Sequence, residues 1–174
     1  ARTMRCRRTD VIGLMDPDVE NQYALEILKG VNRTIAEKEF DLLVYTTGNF
    51  QKHDTIAHEQ HYVSLLNGTI TDGVMVVTPA AAEFSTTAPI VLIDPHVVDQ
   101  SHPAVLATHY AGAMEAMQYL TGLNHRRIGY ISGRPGLQNT ERYQAYQDAL
   151  ANVGVAYDSD LVTEGDYSTK TASA

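Results

Sequence analysis

The sequence predicts an α/β protein built on three-layer parallel sheets, and three observations carry that prediction. Short apolar runs of strand length alternate along the chain with stretches whose apolar residues recur at helical spacing. The runs Val11 to Met15, Asp41 to Thr47, Gly73 to Val77 and Ile90 to Ile93 are rich in β-branched or apolar residues, as strands covered on both faces are. The loop after the first run, Asp16 to Tyr23, concentrates carboxylates, amides and an aromatic ring, and it lies at the strand end where open parallel sheets bind ligands.

The elements follow in order. Val11 to Met15 is the first strand, broken by Asp16, Pro17 and Asp18. From Tyr23 the period changes. Ala24, Leu25, Leu28, Val31 and Ile35 recur at helical spacing and predict a helix from about Tyr23 to Lys38. Asp41 to Thr47 is the second strand, expected to be buried on both faces. Gly48, Asn49 and Phe50 turn the chain into a helix from about Lys52 to Leu66, with Ile56, Tyr62, Val63 and Leu66 inward and Asn67-Gly68-Thr69 at its end. Gly73 to Val77 is the third strand, followed by Thr78, Pro79 and a weakly patterned alanine run. Pro89 opens the fourth strand, Ile90 to Ile93, which closes at Asp94-Pro95.

The alternation breaks between Asp94 and His109, which places a domain boundary there; Ala104 to Ala107 is a short connecting strand. His109 to Leu120 reads as a helix with Ala113, Met117 and Leu120 on one stripe. Arg127 to Ser132 is a strand, and Gly133-Arg134-Pro135-Gly136 a tight turn. Thr140 to Val153 is a helix with Tyr143, Tyr146, Ala149 and Leu150 inward. Leu161 to Gly165 is a last strand, and Ser168 is placed to cap a further helix.

Composition narrows the function. A chain of 174 residues with 44% hydrophobic content buries a real core in one or two domains. No run reaches the ~18 apolar residues of a membrane helix. The Arg-rich start has no apolar stretch behind it, so no secretory signal is expected, and a single cysteine, Cys6, fits a reducing, cytoplasmic setting. The net charge of −8 is uneven: Arg2, Arg5, Arg7 and Arg8 precede a body of 166 residues holding nine bases against 21 acids. Such a body repels a phosphate backbone while the arm is drawn to one; the plain alternative for the arm is a solvated tail.

Several stretches have the residue types of catalytic or metal sites. Asp16-Pro17-Asp18-Val19 after an apolar strand resembles the nucleophile motif of haloacid-dehalogenase-like phosphatases, in which the first aspartate attacks phosphorus and Mg²⁺ holds the charge. Thr78 would be its hydroxyl donor, but no strand-end acid pair follows to complete the metal site; Gly165-Asp166 comes nearest. His58 and His61, three apart on a helix with His53 before it, have the spacing of two metal ligands without a third, and a solvated helix face explains them as well. The turn at Gly133 lacks the Gly-Lys-Ser/Thr of a phosphate-cradling loop. No cofactor and no metal are expected.

Five stretches carry a resemblance. Ala1 to Leu14 looks like the junction in lactose-repressor-family (LacI/GalR) regulators, where a short hinge helix meets the first strand of the effector domain. Asn124-His-Arg-Arg-Ile-Gly-Tyr-Ile-Ser-Gly133, with Arg142 nine residues on, is similar to that family's GHRRIxxIxG…R segment, with Asn124 in place of the usual glycine. Asp16 to Gly30 resembles the family's first loop and helix, with Gln22 where proline is usual. Thr71 to Val77 resembles VDGLIVxx, and Pro89 to Asp94 resembles PVVxxD.

The resemblance implies a periplasmic-binding-protein-like fold: residues 1–8 a remnant of a DNA-binding hinge, 9–105 a nearly complete first effector subdomain, and 106–174 a truncated second one, with a ligand cleft between the two. Ligand-facing positions implied by it are Tyr23, Asp94, Gln138, Asn139 and Arg142. An aromatic face stacks on a ring while aspartate and arginine bind hydroxyls or a carboxylate. A core role for Tyr23 and a surface ion pair for Arg142 are the alternatives, and Pro95 stands where family members often place a second aromatic. Met4 aligns with the hinge residue that wedges into the minor groove, and Arg2 with its neighbours. The expected function is sensing of a small effector, a sugar, by the dimerising part of a regulator that binds operator DNA as a homodimer, with no membrane partner and no catalysis. The alternatives are a sugar-binding protein of a transport system, which a secretion signal upstream would mark, and the phosphatase, which activity lost on Asp16→Asn would mark.

Overall fold

The computed structural model describes residues 8–16, 19, 22–46, 55–66, 68–97, 101–133 and 137–165. The chain divides into two compact units, Ala1–Leu106 and Ala107–Ala174. The first contains β1 (Val11–Asp16), α1 (Gln22–Glu37), β2 (Asp41–Thr46), α2 (Thr55–Leu65), β3 (Gly73–Val77), β4 (Ile90–Ile93) and β5 (Ala104–Val105). Its five strands form one parallel sheet in the order β2-β1-β3-β4-β5. The second contains α3 (His109–Gly122), β6 (Tyr130–Ser132), α4 (Leu137–Asn152) and β7 (Val162–Glu164), with β6 and β7 paired in parallel.

The central strands are covered on both faces. Side chains alternate across a strand, so Met15, Val74 and Val76 share one face, where Val63, Leu66, Phe84, Ile90 and Leu92 close over them. Leu14 and Val77, adjacent to members of that cluster but outside it, are buried at no more than 1% exposure and therefore belong to the opposite face. Thr9 and Asp10 are fastened just before β1: the backbone N–H groups of both, and the Thr9 hydroxyl, donate to the Asp72 carboxylate at 2.8–3.0 Å. These bonds, with Arg8 nearby, hold the Asp72 carboxyl below its usual range. The second unit packs Met117, Ile128, Tyr146, Ala149 and Leu150 together, and the buried Tyr146 hydroxyl donates to the Ile128 carbonyl at 2.9 Å.

Three helices end in the same way. The amide five residues past a carbonyl of the last helical turn bonds back to it: Phe40 to Ile35, His125 to Leu120 and Val155 to Leu150. That closure puts the preceding residue in the left-handed region, and those residues are Glu39 (φ 59), Asn124 (φ 72) and Gly154 (φ 71). Asparagine is the commonest substitute for glycine in this conformation, which is why Asn124 is tolerated where the resemblance leads one to expect glycine. Arg126 completes the end of α3 by donating to the Thr121 and His125 carbonyls and to Asn124 Oδ1 at 2.8–3.0 Å.

Several expectations need correction. β2 is not buried on both faces: it is the edge of the sheet, and Leu43 and Val44 are each 38% exposed. Ile56 faces outward at 48% exposure, and Leu25 is exposed too, while Val63 and Leu66 are inward as expected. β6 begins at Tyr130 rather than Arg127, because Arg126 is folded back on the end of α3. α4 begins at Leu137, a turn before Thr140. The turn at 47–50, the start of the second helix and its end at Asn67, the turn at 134–136 and the cap at Ser168 lie outside the described residues.

Candidate functional site

In the first unit the candidate residues gather at the carboxyl ends of β1, β3 and β4. Asp16 ends β1 and is 3% exposed. Asp94 follows β4 at 5% exposure, and its backbone N–H donates to the Val105 carbonyl at 2.8 Å. The Tyr23 hydroxyl, from the first turn of α1, donates to Asp94 Oδ2 at 3.1 Å. Two residues expected to face a ligand and separated by 71 positions are thus brought together, with Tyr23 42% exposed. A core role for Tyr23 does not fit that exposure.

The backbone at these strand ends is unusual. Thr78 (φ 44) and Asp94 (φ 51) follow the neighbouring strands β3 and β4, and both are left-handed without being glycine. Such residues cost roughly 1–3 kcal/mol each and persist where the surroundings over-determine them. Here the surroundings are identifiable. The Thr78 N–H donates to the Ile93 carbonyl at 2.7 Å, and the His96 N–H donates to the Pro79 carbonyl at 3.0 Å, so each loop holds the other.

Glu59, on α2, holds the loop after β3 from behind, a role that sequence reasoning missed. It is 4% exposed, and its Oε2 accepts the N–H groups of Ala80 and Ala81 at 3.0 and 2.8 Å. Burial pushes its carboxyl up, outweighing those two donors and the charge of His58, which favour the anion. Nothing in its local sequence separates it from a solvated helix glutamate. His58 and His61 instead pack their rings edge-on to Tyr62, at 4.4 and 5.2 Å between centroids. Among the described residues no group of three or more His, Cys, Asp or Glu is arranged to hold a metal ion.

In the second unit the candidates lie where β6 gives way to α4. Asn139 Oδ1 accepts the Gly133 N–H at 3.0 Å and the Tyr130 hydroxyl at 3.1 Å, so it ties the start of α4 to β6 and the residue after it. Arg142, one helical turn on and half-buried, donates from Nη2 to Nδ1 of His109 at 2.9 Å. His109 opens α3 and is 7% exposed. The surface ion pair, the alternative reading for Arg142, is therefore not what engages this nitrogen. Gln138 lies in the first turn of α4, and its side chain is outside the described part, as are Arg2, Met4, Cys6, Asp18, His53 and Asp166.

Residues 9–174 match the family described as periplasmic binding proteins and sugar binding domain of the LacI family. The chain is 25% identical over 175 residues to the ribose operon repressor of Haemophilus influenzae, covering 96% of this chain and 51% of that protein. Among solved structures it is similar to a transcriptional regulator CelR–cellobiose complex (TM-score 0.75, 24% identity, 95% of this chain and 53% of that one). It is also similar to a ribose operon repressor structure from Burkholderia thailandensis (TM-score 0.77, 24% identity, 90% and 61%). The chain spans about half the length of the curated relatives it matches. With a family match running through both units, the chain belongs to the family of periplasmic binding proteins and LacI-type sugar-binding domains.

Proposed function

We propose that the chain is the ligand-sensing part of a LacI-type transcription regulator and that its effector is a sugar. The observation that carries this reading is the family match over residues 9–174, in a span where the relatives are named as repressors and regulators. Residues 9–105 and 106–174 are the two effector subdomains, and each contributes contacts: Tyr23 and Asp94 from the first, Gln138, Asn139 and Arg142 from the second. The pairing of Tyr23 with Asp94 supports the first set, since a half-exposed ring joined to a buried carboxylate suits stacking on a sugar face and acceptance from its hydroxyls. The protein performs no chemistry. The sugar acts by binding one conformation better than another, in a cytoplasmic homodimer that reaches operator DNA through an N-terminal headpiece and a hinge, residues 1–8 with Arg2 and Met4 being a remnant of the hinge. No helix of the described residues is long and apolar enough to cross a membrane.

The test is calorimetric titration of D-ribose, cellobiose and a panel of other pentoses, hexoses and disaccharides into the wild-type chain and into Asp94→Ala and Arg142→Ala. Saturable binding of one sugar class, weakened at least tenfold by each substitution, is the expected result. A ligand at a hundredfold excess over its Kd should also raise the unfolding free energy by about 2.7 kcal/mol. Silence across the whole panel overturns the sugar-sensor reading.

A further inference from the structure

The bond between Arg142 and His109 has a chemical direction. A guanidinium has donors only, so the Nδ1 atom it meets at 2.9 Å serves as the acceptor. His109 is buried at 7% exposure and fixed to the first turn of α3, whereas Arg142 projects from the first half of α4. The less mobile partner therefore sets where the guanidinium points. An arginine side chain loses much rotamer freedom when held in one geometry, and a contact that holds it before a ligand arrives reduces what binding must offset.

We propose that His109 is a positioning residue that aims the Arg142 guanidinium through its Nδ1 lone pair, so that ligand affinity depends on an acceptor at that point. The proposal rests on the reading of Arg142 as a ligand contact, and its test separates the two. Asparagine places Oδ1 the same two bonds from Cβ as Nδ1, glutamine places its acceptor one bond farther, and leucine fills space with none. The aiming role ranks the variants His109→Asn, then His109→Gln, then His109→Leu. Space-filling alone ranks asparagine last, because it is the smallest.

Two measurements on the 174-residue chain, each after a circular-dichroism check of folding, distinguish these roles. Nitrogen-detected NMR of Arg142 reads how freely its guanidinium turns with no ligand present. Slow rotation is expected in the wild type and His109→Asn, and fast rotation in His109→Leu. Titration with D-ribose and cellobiose should show whichever sugar binds weakened about tenfold by His109→Leu, in keeping with loss of a hydrogen bond to a charged group, and restored to within about threefold by His109→Asn. Equal guanidinium mobility in wild type and His109→Leu, or the space-filling order of affinities, overturns the proposal. Should neither sugar bind the wild type, the choice of these sugars fails while the NMR result still decides the role of His109. If His109→Leu does not fold, the contrast of His109→Asn with His109→Gln separates aiming from space-filling in its place.

Discussion

Glu59 is the residue whose replacement separates two physical accounts of the strand-end loops. If its carboxylate holds the loop after β3, Glu59→Ala leaves the Ala80 and Ala81 N–H groups without their acceptor in a buried setting. Each unsatisfied buried donor costs about 1–3 kcal/mol, and partial relaxation toward water brings the pair to about 2–4 kcal/mol. Glu59→Gln behaves differently. Both N–H groups reach Oε2, and Ala80 also donates to Oε1 at 3.2 Å, so an amide carbonyl placed at Oε2 keeps the two shorter bonds and gives up only the longer one, and the loss should stay within about 1 kcal/mol. Because the chain has two units, the assay must report on the first, and hydrogen exchange at the Val74 to Val77 amides does so. At a factor of ten per 1.4 kcal/mol, exchange should quicken roughly 30- to 1,000-fold in Glu59→Ala and less than about fivefold in Glu59→Gln. The pH dependence carries its own sign. Burial raises the folded carboxyl above 4.5, so the acid is favoured in the fold. The stability it contributes is complete below that unfolded value and declines as pH rises through the raised one. The advantage of wild type over Glu59→Ala should thus be larger near about pH 4 than near about pH 8. Equal exchange in Glu59→Ala and wild type, or equal damage from the alanine and glutamine variants, would refute the reasoning.

Two further outcomes concern the second unit. Asn124→Ala should destabilise it by about 1–2 kcal/mol, since alanine at a φ of 72° is strained and the acceptor for Arg126 is lost. Asn124→Gly should stay within about 0.5 kcal/mol; urea unfolding followed by tyrosine fluorescence reads both, and an alanine variant as stable as the glycine one would contradict the helix-closure account. Tyr146→Phe removes the hydroxyl that serves the Ile128 carbonyl and should lower stability by about 1–2 kcal/mol in the same assay. An unchanged unfolding midpoint would mean that water already satisfies that carbonyl.

The parallel α/β class was legible because periodicity is local: the spacing of Ala24, Leu28 and Ile35, or the run Gly73 to Val77, needs no partner to be read. What failed depended on neighbours. β2 has the composition of a central strand, yet the sheet order places it at an edge, and nothing within Asp41 to Thr46 encodes that order. Ile56 matches the helical stripe, but α2 turns a different arc inward, one that includes Glu59. The candidate site divides in the same way. Tyr23, Asp94, Asn139 and Arg142 were reached through resemblance, because a hydrogen bond across 71 residues leaves no trace in spacing. His109 and Glu59 had no such help, being an ordinary histidine before a helix and an ordinary glutamate within one until burial and partners set them apart.

The left-handed residues show where the strain of this fold meets a local need and where it points to function. Glu39, Asn124 and Gly154 each close a helix by one repeated hydrogen-bond pattern, so a helix-end requirement explains all three. Asp10 (φ 56), just before β1, closes no helix and is held by its N–H bond to the Asp72 carboxylate. Thr78 and Asp94 close none either. They stand side by side after β3 and β4, and a β-branched residue such as Thr78 is a genuine outlier in that region. Their strain is held by bonds from outside: the N–H groups of Thr78 to Ile93, Asp94 to Val105, His96 to Pro79, and Ala80 and Ala81 to Glu59. A turn needed only for connection could relax into an unstrained form and release those groups to water. That it is instead clamped by a buried carboxylate, beside an aspartate joined to an exposed tyrosine, is the arrangement expected where a rigid rim must meet a ligand.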